Sequence, residues 1–111
     1  MPRPYKITFD PITGEERFET MTKDPELGYK MVATVVDVKG QCSVGHKVGD
    51  SFEISCHNPA GLCGFFYHNI FPSLQTFQFG ANMPWWQGET ILLHCPDSYN
   101  LVTIKLERFK R

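Results

Sequence analysis

Hydrophobic positions in this chain alternate, then recur at helical spacing, then alternate again. Residues 30–40, KMVATVVDVKG, are rich in β-branched side chains, with Met31, Ala33 and Val35 on one face and Val32, Val36 and Val38 on the other. That pattern predicts a central strand ending at Gly40. In SFEISC, Phe52, Ile54 and Cys56 share a face, so a second strand should turn Cys56 inward. Residues 58–80 then change period. Asn58 is a plausible N-cap, Pro59 suits the first helical position, and Cys63, Phe66, Tyr67 and Ile70 fall on one helical stripe. Pro72 should kink or split this helix, with Gly80 as its stop. Alternation returns in TILLHC, with Ile91, Leu93 and Cys95 inward and Leu92 and His94 outward. LVTIKLERF predicts a last strand with Val102, Ile104 and Leu106 on the core face.

The punctuation between these runs is equally legible. Residues 5–20 place two β-rich runs around DPITG, where Pro11 and Gly14 predict a hairpin turn. Asp24 and Pro25 suggest a turn or a single helical turn. Residues 1–28 read as an N-terminal hairpin extension and residues 29–111 as the main, cysteine-containing domain. Gly49 and Asp50 form a turn that launches a strand, PDSYN a second turn, and ANMPWWQG a loop whose Trp85 and Trp86 suit core, lid or partner surface. The fold class is α+β: a small, mainly antiparallel sheet or open barrel of about four to six strands, with one kinked or broken helical segment packed on it. That helical segment is inserted between the second and third core strands.

Composition narrows the partners. The chain has 111 residues, 41% of them hydrophobic, enough for one compact core. Its net charge of -1 provides no field to gather phosphates, which argues against nucleic acid. No window approaches the roughly 18 uninterrupted apolar residues of a membrane-spanning helix, and MPRPYKITFDPITGEERFE lacks the apolar region of a secretory signal. The expected setting is cytoplasmic. There, four cysteines point to thiolate chemistry or metal ligation rather than to disulfides.

Cys42, Cys56, Cys63 and Cys95 each fall at or near the end of a predicted element, where one rim of a small sheet can gather them. Soft sulfur donors suit zinc and iron-sulfur clusters. No C-x2-C knuckle is present, which tells against structural zinc, whereas a four-iron cluster is a wider target for dispersed ligands. Cys56 continues the Phe52 and Ile54 stripe and is the first candidate for plain packing; Cys42, in a polar glycine-rich loop, is the last. His46, at C-x3-H spacing from Cys42, suits a ligand, a hydrogen-bond donor to a ligand thiolate, or a solvated turn. His57 and His68 are ambiguous, and His94 reads as a surface or cross-strand residue. Asp50 and Asp97 read as turn residues rather than acids or bases.

VKGQCSVGHKVGDSFEI, GLCGFFYHNIFPSLQTFQFG, PWW and LHCPDSYNLVTIKLER together resemble a family of small, largely uncharacterised bacterial and archaeal proteins. Its pattern is a C-x2-GH-x-VGD start, a central G-x-C helix and a terminal C-P-D strand. The likeness covers about Tyr29 to Arg108 and leaves Cys56 outside the pattern. It implies a site of three cysteines, Cys42, Cys63 and Cys95, with His46, Cys56 or an outside ligand as fourth member.

The leading expectation is a metalloprotein that binds an iron-sulfur cluster, [4Fe-4S] favoured, through Cys42, Cys63 and Cys95, with Cys56 as possible fourth ligand and His46 nearby. Its partner would be a small-molecule substrate at an open iron or a redox protein. The alternatives are a structural zinc module, held by four cysteines or by three and a histidine, and a thiol redox protein using Cys63 near a helix N-terminus.

Overall fold

The computed structural model describes residues 5–9, 11–14, 16–20 and 23–111. Strands β1 (Tyr5–Phe9) and β2 (Glu16–Thr20) pair antiparallel as the expected hairpin, and Gly14 takes a positive φ in its turn. The parts of the hairpin and turn expectations that fall on Asp10, Glu15, Met21 and Thr22, and residues 1–4, lie outside the described residues. Asp24 forms no helical turn. Its carboxylate instead accepts the Glu26 N–H at 2.8 Å and the Ser55 hydroxyl.

The main sheet contains β3 (Lys30–Val38), β4 (Ser51–Ile54), β5 (Thr90–His94) and β6 (Val102–Phe109) in the order β4-β3-β6-β5. All pairs are antiparallel and the sheet is open. The inward phase follows the alternation read from sequence: Met31, Ala33, Val35, Ile54, Ile91, Ile104 and Leu106 are buried. One irregularity matters. A bulge between Val35 and Asp37 leaves Val36 exposed, so that Val38, in register with Val102, packs against the core beyond it.

Helix α1 (Gly64–Gln78) follows β4 and supplies Phe66, Ile70, Leu74 and Phe77 to the same core. Burying each such side chain contributes about 1.5–3 kcal/mol before entropy. The helix is continuous across Pro72, whose ring falls on an exposed face. It begins later than Asn58 and Pro59 suggest. The Asn58 side chain accepts the Ala60 N–H in a local turn, and Ala60 (φ 55) and Gly61 (φ 86) both leave the helical region. Those two positive φ angles interrupt the segment, and the helix starts afresh with Cys63 as its N-cap.

The other end stops where glycine predicts. Gly80 (φ 85) donates to Phe77 O and Ala81 to Thr76 O, the paired bonds of a Schellman motif that a residue with a Cβ would strain. Arg108, reaching over from β6, donates to Phe77 O at 2.8 Å and Ala81 O at 2.9 Å and so completes this C-terminus. Gln78 is fully buried and ties two chain segments together, accepting the Cys56 N–H at 2.8 Å and donating to Leu27 O at 3.0 Å. Trp86 packs edge-on to Phe77 at 5.7 Å while Trp85 is exposed, so the adjacent tryptophans divide between core and surface.

Candidate metal centre

Cys42, Cys63 and Cys95 line one cleft of about 430 Å³. They reach it from three separate loops. Cys42 begins a turn closed by the Gly45 N–H to its carbonyl at 3.0 Å. Cys63 stands at the tip of α1, where no side chain caps the first-turn N–H groups, so the positive end of the helix opens beside the thiols. Cys95 follows the last residue of β5 and shares a backbone bond with Val102, Cys95 N to Val102 O at 3.0 Å.

The neighbours of these sulfurs are specific. Val102 N–H donates to Cys95 Sγ at 3.1 Å, which fixes that sulfur against the start of β6. The Cys95 thiol also lies 3.8 Å from the Asp97 carbonyl, a second contact in the same short loop. His46 is buried and its Nε2 accepts the Cys63 N–H at 3.0 Å, with the imidazole edge-on to Phe52 at 5.6 Å. Accepting at Nε2 puts the proton of the neutral ring on Nδ1 and removes Nε2 as a metal donor in this conformation. His46 thus positions the backbone of Cys63.

A second fastening joins the Cys42 and Cys95 loops. Asn100 Oδ1 accepts the Gln41 N–H at 3.1 Å, and its Nδ2 donates to Asp97 at 3.1 Å. Asp97 also accepts the N–H groups of Tyr99 and Asn100, at 2.9 and 3.2 Å. The Asn100 side chain first, and then these N–H groups, hold its carboxyl below the ordinary range, so Asp97 is a charged turn anchor. Gly40 makes the approach possible, because a Cβ there would overlap the Asn100 amide. Gly40→Ala is therefore expected to destabilise the fold by about 1–3 kcal/mol and to separate the two loops, measurable by urea denaturation. Neither Gly40 nor Asn100 stood out in the sequence, since a strand-ending glycine and a turn asparagine look the same with or without this contact.

Cys56 does not line the cleft. It lies just beyond β4 in the turn bridged by Ser55 and Asn58, with its N–H on Gln78 and Tyr67 donating to Ser55 O nearby. Burial, and then the Asp24 charge, push its thiol pKa up, which keeps it protonated at neutral pH. His57 and His68 are exposed and away from the cleft, and His94 pairs across strands with Thr103 at 2.9 Å.

Among the described residues, no three His, Cys, Asp or Glu side chains stand close enough together to share one metal ion. Tetrahedral zinc with Zn–S bonds of about 2.3 Å requires its sulfurs within roughly 4 Å of one another. Soft thiolate donors suit zinc and iron-sulfur groups alike, and Cys42, Cys63 and Cys95 are the thiols of the cleft wall. Among the described residues no helix is long and apolar enough to cross a membrane. No family model matches the chain, and no curated protein and no solved structure matches it.

Proposed function

We propose that this protein is a metalloprotein that binds an iron-sulfur cluster, [4Fe-4S] favoured, through Cys42, Cys63 and Cys95. One observation carries the reading: three of the four cysteines line a single cleft, and the fourth stands outside it with its thiol pKa raised. Three thiolates leave one of four irons without a protein sulfur. Bound there, the cluster supplies electron transfer or a Lewis-acidic iron to a small substrate.

The chain's own residues have defined parts in this reading. Cys42, Cys63 and Cys95 hold the group, and the Val102 N–H tunes the Cys95 sulfur, since hydrogen bonds to ligand sulfurs help set cluster potentials. His46 holds the Cys63 backbone, and Asn100 with Asp97 keeps the Cys42 and Cys95 loops together. Phe65, Phe66, Val44 and Val102 give the cleft apolar walls that limit water. A redox protein or a small molecule is the partner, and a cytoplasmic, reducing setting fits unpaired thiols. The resemblance to the family with the C-x2-GH-x-VGD and C-P-D motifs belongs to this proposal, because its cysteines are the three that line the cleft.

Anaerobic purification or reconstitution, followed by iron and sulfide analysis and a visible spectrum, tests the proposal. About four irons and four sulfides per chain, with broad brown absorption, are expected. A colourless protein containing neither element after reconstitution overturns it, and stoichiometric zinc in their place favours the structural-module alternative.

A further inference from the structure

We propose that the cysteine cleft receives an uncharged small molecule with an apolar body, not a carboxylate, phosphate or other anion. This rests on the cluster reading for what the ligand meets at its inner end, but it is drawn from the walls.

The cleft, at about 430 Å³, lies within the range of small-molecule sites. Among the described residues that line it there is no lysine or arginine, while Asp97 is a carboxylate in the wall. An anion entering would lose hydration without gaining a cationic side chain as partner. The open end of α1 offers partial positive charge, but no cationic side chain of the lining adds to it.

The polar groups of the wall are mostly engaged. Asp97 accepts from Tyr99 and Asn100, the Asn100 amide is held between Gln41 and Asp97, and His46 Nε2 takes the Cys63 N–H. They shape the cleft more than they offer bonds to a visitor. The apolar side chains are the reverse. Phe65 is 81% exposed and Val44 59%, each two positions after a cysteine and each lining the cleft. Two large apolar groups held open to water at one mouth are suited to cover an apolar ligand body.

The test uses full-length protein purified anaerobically, with equilibrium dialysis against pyridine, an uncharged aromatic nitrogen donor, and separately against citrate and inorganic phosphate. Pyridine is expected to bind at least about tenfold more tightly than either anion. Phe65→Ala should weaken pyridine several-fold, and Val44→Lys should shift preference toward citrate; both side chains are exposed, so the fold should tolerate either change, as circular dichroism would verify. Citrate or phosphate binding as tightly as pyridine overturns the proposal, and so does absence of pyridine binding. Iron and sulfide measured on the same sample separate the two readings. Pyridine preference without iron supports this inference while sinking the cluster, and a full cluster with anion preference does the opposite.

Discussion

Arg108→Ala is expected to lower the free energy of unfolding by about 3–5 kcal/mol. The guanidinium is almost wholly buried and holds two carbonyls at the end of α1, Phe77 O and Ala81 O, together with the Asn82 side chain at 3.0 Å. It also lies over the Phe77 ring at 4.2 Å and the Tyr29 ring at 5.1 Å. Truncation removes the Arg108 donor from the Ala81 carbonyl, leaves Phe77 O with the Gly80 N–H alone, and opens a void between those rings. The ion pair with Glu89 is a smaller part, because the Glu89 side chain is 61% exposed and water screens it. Glu89→Gln should therefore be far milder than Arg108→Ala. Arg108→Lys should resemble the alanine variant, since one ammonium cannot span the same set of acceptors. Urea denaturation of the three variants checks the order.

A pH dependence accompanies this. The Arg108 side chain holds the Glu89 carboxyl below its ordinary range. A carboxyl with a depressed folded pKa contributes stability above its unfolded pKa and loses it as pH falls through the folded value. The acid limb of the stability curve should accordingly be shallower in Glu89→Gln than in the parent chain.

The second large effect concerns the cleft. Cys42→Ser, Cys63→Ser and Cys95→Ser are each expected to reduce bound iron and sulfide to background, whereas Cys56→Ser keeps near-parental loading. The asymmetry follows from position: three thiols line the cleft, while Cys56 does not line it and has its N–H on Gln78. His46→Ala should fall between, weakening loading by about 10–100-fold, because Cys63 loses the acceptor that fixes its N–H. Elemental analysis after anaerobic reconstitution, with circular dichroism to verify folding, measures all five. Equal loss across the four cysteines would remove the three-thiol version of the site.

The contrast between Cys42 and Cys56 marks how far the site could be read in advance. Cys42, among Ser, Gly and His in a loop, reads as the cysteine least explained by packing, and the structure places it half-buried in the cleft wall and against the edge of the core. Cys56 continues the Phe52 and Ile54 stripe, which makes it the first candidate for packing, and it packs against the core outside the cleft. His46 was not decidable from spacing, because whether C-x3-H binds an ion or a backbone N–H depends on Cys63, which is distant in sequence. The helix start was misread for a similar reason. Asn58-Pro59 is a sound N-terminal signal, yet Ala60 and Gly61 turn into positive φ and carry Cys63 to the helix tip.

What the sequence by itself determined is therefore the local periodicity: four core strands with their inward faces, a helix between the second and third, and Gly80 at its stop. Alternation and 3.6-residue recurrence are imposed by backbone geometry and need no knowledge of neighbours. Only the tertiary structure decided which cysteines share a cleft, that His46 and Asn100 fasten its rim, and that Arg108 closes the far end of the helix. Those contacts join residues from different elements, and their free energy depends on an approach that no local pattern encodes.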